Sequence, residues 1–177
     1  EADGTPVNDA VQQNQFFSAD QGWSGDVAPT PDGGFIATWM TNGADGFGYA
    51  VSARRFDANG DPIGTEFVVN ESASEDQYHP SITTLANGNA IVTWAGLMEG
   101  GDRYGIVGRI LTSDGAPLTE EFAINESAGN AQNYPRVLEL EDGGFFVTWT
   151  HGRTEDANGL DIYGRRFDSM GNALTGD

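Results

Sequence analysis

The sequence contains no cysteine and no lysine. Without cysteine there is no disulfide framework, no thiol nucleophile and no thiolate metal site. Without lysine, all 8 basic residues are arginines, and they face 27 acidic residues for a formal net charge of −19. Such a chain has no basic footprint with which to displace the counterions of nucleic acid, so nucleic acid is not an expected partner. No apolar run of about 18 residues is present, and no helical membrane insertion is expected. Helical periodicity is missing throughout. The two histidines, His79 and His151, fall at unlike places, and neither a Gly-x-Ser-x-Gly elbow nor a His-Glu-x-x-His motif occurs. These absences lead to the expectation that the protein is not an enzyme. Glu1 opens the chain with neither methionine nor a signal-like segment, which reads as a mature or excised piece.

What is present is a repeat. Trp39, Trp94 and Trp149 are spaced 55 residues apart, each ending the same phrase: Phe35-Ile36-Ala37-Thr38-Trp39, Ala90-Ile91-Val92-Thr93-Trp94 and Phe145-Phe146-Val147-Thr148-Trp149. An Asx-Gly turn precedes each phrase, at Asp32-Gly33-Gly34, Asn87-Gly88-Asn89 and Asp142-Gly143-Gly144. A second apolar phrase follows at Tyr49–Phe56, Tyr104–Ile110 and Ile162–Phe167, then another turn, and in two copies a Glu-Phe-x-x-Asn-Glu-Ser ending at Glu66–Ser72 and Glu121–Ser127. The runs are short, rich in β-branched and aromatic residues and bounded by turn residues, which predicts strands. The fold expected is all-β: three four-stranded antiparallel units of about 55 residues that resemble β-propeller blades. A β-trefoil or β-prism with threefold pseudo-symmetry is the alternative.

The chain divides into an N-terminal strand and atypical segment (1–26) and repeats at 27–72, 73–127 and 128–177, together one repeat domain. The third repeat reaches Asp177 where its last strand is due, and residues 4–9 are a worn version of that strand which would complete it. Three units fall short of a ring, so a homo-oligomer or a larger parent chain is expected to complete it.

The phrase Asp-Gly-Gly-Phe-x-Val-Thr-Trp, the following Tyr-Gly-x-x-x-Arg-Arg-Phe-Asp-x-x-Gly and the Glu-Phe-x-x-Asn-Glu ending resemble repeats of very large bacterial secreted proteins of the RTX type, with hemolysin-type Ca²⁺-binding domains and adhesin-like organisation. The resemblance runs from about Val27 to Asp177. It implies an extracellular, secreted or cell-surface location, which the acidic composition fits, since carboxylates are screened or bridged in a salty, Ca²⁺-rich exterior.

The candidate ligand contacts are Trp23, the tyrosines Tyr49, Tyr104 and Tyr163, and the arginines Arg55, Arg109 and Arg166. The repeated tryptophans read as core residues, with sugar stacking as the sharper alternative. The repeated arginines read as bidentate partners of a neighbouring carboxylate, with an anion or acidic-sugar site as the alternative. For a metal, Asp156, Asn158 and Asp161 supply oxygen donors at the alternate spacing a hard cation takes, Asp45, Asp102 and Asp161 recur in the loop after the Trp strand, and Ca²⁺ is the ion expected there. The function expected from sequence is a non-enzymatic surface or adhesin-like module that binds a glycan or a cell-surface protein through its loops. The alternatives are a purely structural or self-assembling repeat and a polysaccharide-acting enzyme.

Overall fold

The structure, a computed structural model, describes residues 10, 12–15, 20–97, 104–126, 132–152 and 159–176, and the side chain of Trp23 is not among its described atoms. The described chain is all-β, with three antiparallel sheets. Gln21–Pro29 (β1), Phe35–Asn42 (β2), Tyr49–Phe56 (β3) and Pro62–Val68 (β4) form the first, in the order β1-β2-β3-β4. Tyr78–Thr84 (β5), Ala90–Leu97 (β6), Tyr104–Leu111 (β7) and Phe122–Ala123 (β8) form the second, and Gln132–Glu139 (β9), Phe145–Gly152 (β10) and Leu160–Phe167 (β11) the third. Each sheet is a meander in chain order, and each Trp phrase is its second strand. Residues 4–9, expected to pair with the third unit, lie outside the described residues.

One turn serves six hairpins. At Thr30–Gly34 the amide of Gly33 donates to Thr30 O at 3.0 Å and Thr30 N donates to Gly34 O at 2.8 Å, and Gly33 has φ 87°. The same pair of bonds recurs at 85–89, 140–144, 57–61, 112–116 and 168–172. This is a type I turn followed by a left-handed glycine, which sets the register of each hairpin. Asp57 and Asp168 stand at the first position of such turns, where Asp57 accepts from the amides of Asn59 (2.9 Å) and Asp61 (2.8 Å) and Asp168 from those of Met170 (2.9 Å) and Asn172 (2.9 Å). These bonds hold both carboxyls below the usual range, for Asp57 chiefly through Asp61 and for Asp168 chiefly through the Asn172 side chain.

The sheets stack face to face, and none closes into a barrel among the described residues. Between the first and second lies a core of Ala28, Ile36, Val51, Ala53, Val69, Ile82, Val92, Trp94, Val107 and Leu111. Between the second and third lies another, of Ile91, Ala95, Ile106, Ile110, Ile124, Phe145, Val147, Trp149 and Phe167. The middle sheet is covered on both sides, so β6 and β7 are apolar and buried along nearly their whole length. The third is covered on one side, so β10 alternates buried and half-buried residues. Trp94 and Trp149 are almost fully buried, whereas Trp39 on the outer face of the first sheet is half-buried.

The stack is wedge-shaped. The first strands converge, β5 packing on both β1 and β9, and side chains stitch them together: Ser81 Oγ donates to Asp26 at 2.9 Å, Ile82 N donates to the same carboxylate at 3.1 Å, and Val137 N donates to Ser81 Oγ at 3.4 Å. This convergence makes the arrangement β-propeller-like.

At the flared side, arginines join the sheets. Arg109 Nε donates to Thr119 O of its own sheet at 3.0 Å, Nη1 to Val69 O of the preceding sheet at 2.7 Å, and Nη2 pairs with Glu71. Arg165 repeats this with Thr175 O (2.7 Å), Ile124 O (2.9 Å) and Glu126. Arg54 repeats it with Gly64 O and with Gln13 O at 3.1 Å, so residues 12–15 occupy before the first sheet the place that Val69–Glu71 occupy before the second. The planar fork of a guanidinium reaches two carbonyls and a carboxylate together, which an ammonium does not. Arg109→Ala is expected to lower the unfolding free energy by about 2–3 kcal/mol, because the buried Val69 carbonyl and the part-buried Thr119 carbonyl lose their donor. Glu71→Gln should change it by less than about 1 kcal/mol, since that carboxylate is 44% exposed. Urea denaturation measures both, and equal losses would refute the primacy of the carbonyl bonds.

Candidate functional site

The first strand of each sheet begins with a related phrase: Asp20-Gln21-Gly22-Trp23, Asp76-Gln77-Tyr78-His79 and Ala131-Gln132-Asn133-Tyr134. At each the strand loses register with its neighbour, between Gln21 and Gly25, between Tyr78 and Ser81, and opposite Thr148–Thr150. The bulge is held by left-handed backbone at His79 (φ 56°) and Tyr134 (φ 54°), and Glu75 just upstream has φ 63°. Such conformations cost about 1–3 kcal/mol each for residues other than glycine, and they persist where surrounding structure over-determines them. The glutamines anchor the bulges from within: Gln21 Oε1 accepts from Thr41 Oγ1 at 3.0 Å, and Gln132 Oε1 lies 2.9 Å from His151 Nδ1. Gln77 Nε2 donates to Ser74 O (3.2 Å) and Glu75 O (3.0 Å), tying down the loop before β5.

The consequence is an aromatic and acidic cluster across all three sheets, at the end where first and third strands both begin. His79 stacks on Tyr134 with ring centres 4.1 Å apart. Tyr78 lies 5.9 Å from Tyr104, 6.2 Å from Tyr49 and 6.0 Å from His79. Asp76 fixes the group, accepting from Tyr49 N at 2.7 Å and from the Tyr78 hydroxyl at 2.5 Å. Glu75 is exposed beside it. The hydrogen bond to Asp76, then burial and that carboxylate's charge, push the Tyr78 hydroxyl well above its ordinary value. Tyr104 rises through burial first, with the charges of Asp76 and Glu75 adding. Both phenols stay protonated donors across the physiological range. His79 is pushed down by burial first and by the Arg136 charge second, so its stacked ring is neutral at neutral pH.

Tyr49 and Tyr104 thus belong to this cluster. Tyr163 does not: it stands opposite Trp149 in register, the place held by Ser52 opposite Trp39 and Val107 opposite Trp94, and it packs inward on Trp149 and on His151 at 4.6 Å. The counterpart of Tyr49 and Tyr104 is Leu160. The backbone of Trp23 aligns with His79 and Tyr134, and its side chain lies outside the described atoms. Arg109 is committed to the joint between sheets, while Arg55 pairs with Asp32 at 2.5 Å and Arg166 with Asp142 in the hairpin turns.

Among the proposed cation ligands, Asp45 accepts from Phe47 N at 3.0 Å and Asn70 Nδ2 at 2.9 Å, and Asp161 is exposed opposite His151. Asp102, Asp156 and Asn158 lie outside the described residues. Among the described residues no three His, Asp or Glu side chains gather as a metal site.

Protonation of His79 is opposed in the folded state, so its contribution to stability is complete above the ordinary histidine pKa near 6.5. It is lost as pH falls through the lower folded value. An NMR titration is expected to place the His79 midpoint below 6.5, with Tyr134→Ala raising it more than Arg136→Gln because uncovering the ring removes the larger cause. A midpoint at or above the ordinary value would contradict the stacked, desolvated ring.

No protein-family model matches the chain, and no curated protein matches it in sequence. Solved structures match it in shape. An endo-arabinase from Bacteroides thetaiotaomicron superposes with TM-score 0.54 at 12% identity, over 80% of this chain and 54% of that one. A thermostable family-43 glycoside hydrolase superposes with TM-score 0.53 at 12% identity, over 89% and 57%. An endo-1,4-beta-xylanase from Bacteroides thetaiotaomicron gives 0.55 at 12% identity, over 97% and 62%. The chain therefore spans less than two thirds of the length of these neighbours. These matches correct the expectation of a non-enzymatic adhesin-like module, which rested on missing motifs and repeat phrases, because solved glycoside hydrolases share this fold.

Proposed function

We propose that this chain is a three-bladed part of a β-propeller that acts on a polysaccharide. The observation that carries the reading is the row of aromatic rings around a fixed carboxylate, His79 on Tyr134 with Tyr78, Tyr104 and Tyr49 next to Asp76, with exposed Glu75 the residue before it in the chain, on a fold shared with an endo-arabinase and a xylanase. Aromatic faces take the apolar faces of sugar rings, and protonated tyrosine hydroxyls donate to sugar oxygens. Glycoside hydrolysis needs a pair of carboxyl groups flanking the scissile bond, one giving a proton to the leaving oxygen. Asp76 is held in place by Tyr49 and Tyr78, which suits the carboxylate that faces the sugar ring. Exposed Glu75 is the carboxyl that exchanges the proton.

The test is turnover of arabinan and xylan oligosaccharides by the chain and its variants. Glu75→Gln should lower kcat about a hundredfold or more while sparing affinity. Tyr134→Ala should weaken oligosaccharide binding roughly tenfold. Full turnover by Glu75→Gln would remove the assignment of the acid, and failure of the chain to bind or cleave any of these polymers would remove the reading.

A further inference from the structure

The outer faces of the stack repeat, position by position, faces that are buried inside it. Register places Val51, Ile106 and Ile162 at one position of the three sheets. The first two are 0% exposed, each covered by the Trp-bearing face of the next sheet, and Ile162 is 73% exposed. Ala28 is 2% exposed in the first sheet and its counterpart Leu138 in the third is 65% exposed. The other end shows the converse. Val27 and Ile82 share a position on the Trp-bearing side, Ile82 at 4% exposure and Val27 at 57%. Around Val27 the first sheet forms a hollow of about 390 Å³ lined by Gly25, Ala37 and Trp39, with Gln13 and Asn14 at its rim. One end thus presents the ridge, and the other the receiving face, of a joint the molecule already makes twice.

Charge agrees with this pairing. In the first joint Asp26 meets Ser81, its counterpart one sheet on. The third sheet carries Arg136 at that position. A further sheet continuing the stack with the first sheet's sequence would set an aspartate, Asp26, against Arg136. Opposite charges across a joint favour that partner over others.

We infer that a second copy of this chain stacks head to tail on the first, the Leu138–Ile162 face of one seated on the Val27–Trp39 face of the other. A pair joined through both ends holds six sheets, inside the range of about four to eight found in propeller rings.

Sedimentation at moderate salt, where repulsion between two chains of net charge −19 is screened, should give a concentration-dependent mass rising to twice 18.8 kDa. Ile162→Asp and Val27→Asp change exposed residues, so each should keep the native circular dichroism while its dimer dissociation constant rises at least tenfold. A mixture of the two variants should associate more tightly than either alone, because one of its joints is intact on both sides. A monomer at all concentrations would overturn the inference. So would a Val27→Asp protein that dimerises like the parent, since that outcome places the ridge faces of two chains against each other.

Discussion

The arginine joint between successive sheets is the constraint on which the remaining architecture depends. Apolar faces alone would let two sheets slide or rotate, because burial is non-directional. Arg54, Arg109 and Arg165 remove that freedom by reaching, from the third strand of one sheet, two carbonyls that belong to different sheets or to the segment preceding them. Gly64 O lies at the register break of β4 and Val69 O and Ile124 O just past β4 and β8, so the same bonds satisfy backbone groups outside the ladders and set the spacing of the sheets. The lack of lysine fits this use, since a guanidinium fork satisfies three acceptors in one plane.

With that spacing set on the flared side, the first strands are driven together on the other. Their crowding explains the bulges at His79 and Tyr134: an extra residue there turns a side chain out of the ladder without breaking the contacts between sheets. The rings that emerge come from different sheets, and they meet because the sheets are stacked at one separation. The candidate site is therefore a product of the joint. This end of an acidic chain thus carries a neutral histidine and protonated tyrosines.

Particular residues separate what pattern reveals from what it hides. The Trp phrases, the Asx-Gly turns and the repeated arginines were legible because strand alternation, left-handed turns and bidentate pairing each demand specific residue types at short range. Tyr163 shares its place with Ser52 and Val107 rather than with Tyr49 and Tyr104, because register follows the Arg-Arg-Phe endings of the third strands. The equivalence of positions 23, 79 and 134 is hidden in the sequence because the three residues differ in type, although the glutamine two residues before each is a signal. Glu75 and Asp76 could not be singled out among 27 acids. Carboxyl catalysis has no sequence spacing, only a spatial one.

By itself the sequence determined the strands, the six turns and the order of each meander, all of which follow from side-chain alternation and local backbone preference within a few residues. Tertiary structure alone decided which face of each sheet meets the next, which tryptophan stays half open and which rings gather beside Asp76. Those outcomes depend on contacts between residues as far as 27 to 56 positions apart, and no local preference carries information over that distance.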